Sequence, residues 1–193
     1  MDFREFQKIP RLSREMIITE KIDGTNGVIA INEEGDFCVG SGNRWLTKIN
    51  ALGEECLGNK VEDNMGFRGW ALRHKEELMT LGTGFHYGEW FGQGIQRGYG
   101  LKEKRFSLFN VSRWADGGTD VRPACCHVVP TLHVGMFDTA VINSTLWLLE
   151  QAGSMASLGF KPAEGIVIYH VAGNLYFKKT ILHDESPKGL VKE

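Results

Sequence analysis

The feature that most constrains this chain is a lysine set between two apolar runs. Met16-Ile17-Ile18 leads into Glu20-Lys21-Ile22-Asp23-Gly24-Thr25-Asn26, which is followed by Gly27-Val28-Ile29-Ala30-Ile31-Asn32. Runs rich in β-branched residues and bounded by turn formers read as strands, here over 16–20 and 27–32. A lysine ending a strand stands at the rim of a sheet, where glycine-rich backbone leaves N–H groups able to hold phosphate. Lys21 is therefore a candidate covalent nucleophile. The plainer alternative is an exposed lysine before a turn, and Lys-x-Asp-Gly is too short to separate the two.

The remaining chain supplies more strands than helices. Asn32 to Asp36 reads as a turn, so 27–41 forms a hairpin closed by Phe37-Cys38-Val39-Gly40-Ser41. Asp63-Asn64 caps a predicted helix over 65–81, where Phe67, Trp70, Ala71, His74, Leu78 and Leu81 recur at three- and four-residue spacing. That helix reads as core support, without chemistry. Strands are expected over 85–91 and 105–111, and the glycine-rich stretch 92–100 between them lacks P-loop spacing. One more strand is expected within 125–134, then a helix over 139–152 between Asp138 and Gly153. Segments 163–170 and 173–178 read as a closing hairpin. Residues 1–15 form a lead-in. Many short strands and two main helices give an α+β domain with mostly antiparallel sheet, expected over 1–183 with a polar tail over 184–193.

A net charge of −2 rules out a global positive field, so any nucleic-acid surface must be a local patch. The four cysteines, Cys38, Cys56, Cys125 and Cys126, form no paired framework, which fits free thiols in a reducing compartment. The first residues are too charged for a signal peptide, and no apolar run nears the roughly 18–20 residues of a membrane span. A soluble cytoplasmic protein without a membrane partner is expected, and no protein partner is inferred. Cys125-Cys126-His127 with His133 invites a zinc reading. Vicinal cysteines on a strand point opposite ways, and no C-x-x-C is present, so that reading is set aside. His74, His86, His170 and His183 are scattered without triad partners, which disfavours a hydrolase.

Five ordered stretches resemble the covalent nucleotidyltransferases, the superfamily of ATP-dependent DNA and RNA ligases and mRNA capping enzymes. They are Glu20-Lys21-Ile22-Asp23-Gly24, Ser41 to Arg44, Gly88-Glu89-Trp90-Phe91-Gly92, Arg105 to Asn110, and Glu164-Gly165-Ile166-Val167 with Phe177-Lys178-Lys179. The extension to Gly24-Thr25-Asn26, and of the Gly88-Glu89 stretch into Gly94-Ile95-Gln96, makes the likeness greatest to the phage-type RNA ligases that seal nicks in duplex RNA. The likeness spans 16 to 180, with no motif in 112–160.

The resemblance implies a fold of two mostly antiparallel sheets with flanking helices forming a nucleotide-binding cleft, the ATP-grasp-like nucleotidyltransferase domain of ligases. It implies that Lys21 attacks the α-phosphate of ATP and holds AMP as a phosphoramidate. Only about one lysine in a thousand is a free amine near pH 7.4 at the usual pKa of about 10.4, so the site must expel a proton, with Lys178, Arg44 or a metal ion helping. Asp23 and Glu164 are the implied ligands of Mg²⁺ or Mn²⁺. Glu89 matches the carboxylate that takes the ribose hydroxyls, and Phe109 the aromatic that stacks on adenine, with Phe106 its rival. Glu20, Ile22, Asn26, Arg44 and Lys178 match further nucleotide contacts. The implied partner is RNA with 5′-phosphate and 3′-hydroxyl ends, DNA being possible.

Two departures stand out. Relatives often carry lysines two apart in the closing motif, whereas this chain has Lys178-Lys179 and then Thr180, and adjacent strand residues face opposite ways. Asn110 stands where relatives often have aspartate. No segment for an OB or extra C-terminal domain is expected, which leaves strand grip to Lys48, Arg97, Lys102, Lys104 and Arg105, and the wall beside a 5′-phosphate to 93–100. The alternatives are a DNA ligase, a GTP-using capping-type enzyme, or a non-catalytic nucleotide- or RNA-binding domain.

Overall fold

The computed structural model describes residues 2–56 and 63–185. In chain order its strands are β1 (Glu15–Lys21), β2 (Thr25–Ile31), β3 (Phe37–Ser41), β4 (Trp45–Ile49), β5 (Gly84–Gly92), β6 (Lys104–Leu108), β7 (Cys126–Val128), β8 (Thr131–Met136), β9 (Gly165–His170) and β10 (Leu175–Thr180). Its helices are α1 (Phe67–Arg73), α2 (Lys75–Leu78), α3 (Val111–Trp114) and α4 (Thr139–Ala152). The α+β class and the two mostly antiparallel sheets agree with the sequence reading. The chain divides into two compact units, one of residues 1–21 with 130–193 and one of residues 22–129.

The first unit is an antiparallel sheet in the order β10-β9-β1-β8. Side chains alternate across a strand, so Met16 and Ile18 of β1 join Ile166 and Ile168 of β9 on one face. There they pack with Ile142 and Leu149 of α4. This helix starts and stops where the sequence says. The Asp138 side chain accepts a hydrogen bond from Ala140 N–H, and Gly153 closes the last turn with a positive φ (88°) that favours glycine.

The second unit is a six-stranded sheet, β4-β3-β2-β5-β6-β7, antiparallel except for the parallel pair β6–β7. One face carries an aromatic core in which Phe67 and Phe106 lie 4.9 Å apart and Trp70 and Trp90 5.2 Å apart. Gly27 and Gly88 leave room for it, since a Cβ there would come within 2.6 Å of the Phe67 ring and 2.7 Å of the Phe106 ring respectively.

Three expectations need correction. The helix expected over 65–81 starts at Phe67 and breaks at His74 (φ −104°, ψ 17°) into α1, α2 and a 3-10 turn. Asn64, Met65 and Gly66 all take positive φ, so no helix can begin there, and Asp63 instead accepts from Gly69 N–H at 2.8 Å. The strand expected over 105–111 ends at Leu108, and Asn110 caps α3 by accepting from Arg113 N–H. The single strand expected in 125–134 is two strands, one in each sheet, because the chain changes sheets at Val129-Pro130. Val129 N–H bonds Leu108 O in one unit, and Pro130 O accepts from Glu20 N–H in the other. Of the expected tail, 186–193 lie outside the described residues. Asp184 is bound to Thr180 N–H through its carboxylate at 2.8 Å.

Candidate active site

In the first unit Lys21 ends β1 on the sheet face opposite α4. Glu164 immediately precedes β9, and its Oε2 accepts from Lys21 Nζ at 2.6 Å. The lysine side chain is 18% exposed and that of Glu164 4%, so this ion pair is largely shielded from water. The strand register supplies the third charge. Lys21, Gly165 and Thr180 lie in one row across β1, β9 and β10, and Thr19, Val167 and Lys178 lie in register two residues along. Lys178 therefore shares the face of Lys21. Lys179 points the other way and pairs with Asp184 at 3.6 Å, so it does not stand in for the second lysine of the closing motif. Thr180 occupies that place, in the same row as Lys21. Gly165 is required here, because a Cβ would meet Lys179 O at 2.2 Å and push β10 away.

Glu20 faces the α4 side. Its Oε2 accepts from the N–H groups of Met155 and Ala156 at 2.8 and 2.9 Å, and burial raises its pKa. With that carboxylate committed, and the Ile22 side chain buried in the second unit, any nucleotide contact of either residue must come from its main chain.

In the second unit Asp23 is held from the loop between β5 and β6. Arg97 Nε donates to Asp23 Oδ2 at 3.0 Å, and Asp23 N–H donates to the buried Tyr99 hydroxyl at 2.8 Å. Gly94, Gln96, Gly98, Tyr99 and Gly100 all take positive φ, a tight path that turns both side chains back onto Asp23. Neither partner was legible as such: Arg97 read as a strand-gripping cation and Tyr99 as part of a wall. The glycine density of 92–100 was the available signal.

Asn26, Glu89 and Ser107 form one row across β2, β5 and β6, on the face away from the aromatic core. Glu89 is buried there, and Asn26 is exposed at the strand end. Phe109 follows β6 on that same face and is 40% exposed, whereas Phe106 is fully buried against Phe67. The core consumes Phe106 and leaves Phe109 as the ring a base can reach. Arg44 lies exposed in the β3–β4 turn, where its carbonyl accepts from Ser41 N–H at 2.8 Å.

Of the other grip candidates, Lys104 donates to Met65 O at 2.7 Å, Arg105 pairs with Glu103 at 2.6 Å, and Lys48 lies 5.6 Å from the Trp45 ring centre. Lys102 is exposed. No group of three or more metal-ligating side chains among the described residues includes Asp23 or Glu164. A hard carboxylate such as Glu164 nevertheless suits Mg²⁺ or Mn²⁺, because small hard ions use one or two carboxylates and fill the rest of their shell with water and phosphate. Asp23 fits less well, since a guanidinium already lies against it. No helix among the described residues is long and apolar enough to cross a membrane.

A family model described as RNA ligase matches residues 14–182. Three solved structures of Naegleria gruberi RNA ligase variants are similar to the chain. A variant with ATP and manganese aligns at TM-score 0.57 and 19% identity, over 86% of this chain and 48% of that one. A variant without ligand aligns at 0.57 and 20%, over 87% and 50%. One with AMP and manganese aligns at 0.54 and 20%, over 88% and 50%. At such identity the likeness speaks for the fold alone, and the chain spans about half the length of those proteins. No curated protein sequence matches the chain.

Proposed function

The chain belongs to the RNA ligase family, and we propose that it is an ATP-dependent RNA ligase working through a lysyl-AMP intermediate. The observation that carries this reading is Lys21 Nζ held 2.6 Å from a buried Glu164, with Lys178 on the same sheet face. As an ammonium donating to Glu164, Lys21 has no lone pair to offer. The proton must leave and the ion pair must open before reaction.

The free amine then attacks the α-phosphorus of ATP. The N–P bond forms as the bond to the bridging oxygen breaks, and pyrophosphate departs. Lys178 offsets the phosphate charge. Glu164 is the residue that would hold Mg²⁺ or Mn²⁺, with Asp23 joining only by giving up Arg97. The ion would supply charge neutralisation at the phosphates. Glu89 takes the ribose hydroxyls and Phe109 stacks on the adenine. In the second step a 5′-phosphate oxygen of RNA attacks the same phosphorus and the N–P bond breaks, restoring the lysine. In the third, a 3′-hydroxyl attacks the 5′-phosphate phosphorus, forms the phosphodiester and expels AMP. Asn26 and Arg44 hold phosphate in these later steps.

Incubation with α-labelled ATP and Mg²⁺ or Mn²⁺ tests the reading. Label is expected to stay on the denatured protein and to be absent from Lys21→Ala. Nicked RNA should then chase it into adenylylated and sealed strands. Nicked duplex DNA as the sole productive acceptor, or label with GTP alone, would replace the RNA ligase reading. No label with either nucleotide would end it.

A further inference from the structure

We propose that His74, Glu77 and Cys125 form a zinc site in the second unit. None of the three has a part in the nucleotide chemistry above, and the inference does not depend on that reading. His74 is the residue at which the helical segment breaks between α1 and α2. Because Leu78 N–H still bonds His74 O at 2.8 Å, the break bends the path without unwinding it, and His74 and Glu77 remain neighbours at i and i+3. Their side chains lie together, with Nδ1 of His74 3.6 Å from Oε2 of Glu77. Cys125, the residue before β7, arrives from 48 positions further along the chain. Its backbone N–H donates to Oε1 of Glu77, which fixes that carboxylate and turns its other oxygen toward the histidine.

One donor atom from each of the three residues falls within 4.8 Å of the others, and all three residues are half-buried. Zinc bonds of about 2.0–2.3 Å put tetrahedral ligand atoms roughly 3.3–3.8 Å apart, so small side-chain rotations close the set. An imidazole, a carboxylate and a thiolate suit Zn²⁺, which is borderline in softness, better than Mg²⁺ or Ca²⁺. With a neutral imidazole the three ligands balance its charge, and water takes the fourth position. The bond from Cys125 N–H to Glu77 is the kind of outer contact that orients a metal ligand.

Cys126 is not in the set. It is buried in the hydrophobic core, against which the half-buried Cys125 also packs, and the two sulfurs are 3.9 Å apart. The sequence paired Cys125 with Cys126, His127 and His133 and gave the helix no chemistry. The structure instead brings it to that helix. A bound ion would staple the entry to β7, the edge strand, onto α2.

Metal-free protein titrated with Co²⁺ in the absence of nucleotide provides the test. One equivalent should produce the visible bands of four-coordinate cobalt and a near-ultraviolet sulfur-to-cobalt band, both displaced by Zn²⁺. Cys125→Ser should lose the sulfur band, while Cys126→Ser and Glu164→Gln keep it. His74→Gln and Glu77→Gln should each weaken Zn²⁺ binding by more than about tenfold. Circular dichroism of each variant separates loss of a ligand from loss of fold. Folded wild-type protein without a sulfur-to-cobalt band overturns the site. So does a band that Cys126→Ser abolishes, or one that survives Cys125→Ser.

Discussion

The two units divide the labour of this protein unequally. In the first, the candidate reactive groups Lys21 and Lys178 sit in adjacent register on a sheet backed by a small aliphatic core of Met16, Ile18, Ile142, Leu149, Ile166 and Ile168. In the second, the candidate recognition groups Asn26, Glu89 and Phe109 lie on a sheet whose far face carries the large aromatic core of Phe67, Trp70, Trp90 and Phe106. The first unit brings its candidate groups together through one short ion pair, Lys21 with Glu164. The second unit places its polar row on the sheet face away from its aromatic core. The difference teaches that a damaged site in the second unit should spare the fold, while a damaged core should spare nothing.

The largest effect expected within that comparison is at Phe106. Truncation to alanine should destabilise the second unit by about 3–5 kcal/mol, read by denaturant unfolding. Glu164→Gln comes next. Losing the carboxylate opposite Lys21 should slow retention of labelled AMP by about a hundredfold, with the protein still folded. An unchanged rate would remove Glu164 from the chemistry. Phe109→Ala, only three residues from Phe106, should leave stability within about 1 kcal/mol and weaken ATP binding by about 1–3 kcal/mol. Calorimetric titration of ATP into both phenylalanine variants checks the contrast. If Phe109→Ala unfolds like Phe106→Ala, the division between core and site is broken.

The smallest effect is a pH dependence of opposite sign in the two units. Burial raises the Glu20 carboxyl above its ordinary 4.5, against the hydrogen bonds of Ser154, Ala156 and Met155. A raised acid contributes stability that is complete below its unfolded value and lost as pH rises through its folded one. Burial lowers the His86 imidazole below its ordinary 6.5, against its bond to Gly82 O and with Arg113 adding to the effect. A lowered base contributes stability that is complete above its unfolded value and lost as pH falls through its folded one. Hydrogen-exchange protection of β9 should thus decline as pH rises from 4.5, and that of β5 as pH falls from 6.5. Glu20→Gln should flatten the first trend and His86→Gln the second. Parallel trends in both strands would refute the assignment.

Much of the fold was legible because local rules decide it. Asp138 and Gly153 bracket α4, and the hairpin of β9 and β10 follows from two alternating runs around a short turn. The readings that needed correction involve features that periodicity does not encode. Apolar spacing runs unbroken through His74, since one hydrogen bond carries the helix path past the break. Alternation runs equally well through 125–134, since a period of two is blind to which sheet a strand joins. Lys21 announced itself through its position after a strand, yet its partner lies 143 residues away, and only the resemblance pointed to it. Arg97 shows the opposite limit. Its charge was legible, but its destination on Asp23 depends on the positive-φ residues scattered from Gly94 to Gly100, which no simple rule places there.

The first unit is interrupted by the whole of the second, and this has a consequence for how the molecule is made. A ribosome adding about 5–20 residues per second needs roughly 7–30 s to travel from Lys21 to Glu164. Residues 22–129 are contiguous and can close during that interval, while β1 waits without β8 or β9 to hold it. Lys21 is thus translated well before the strands and the acid that surround it, so a nascent chain halted before residue 164 carries the lysine without the acid it pairs with.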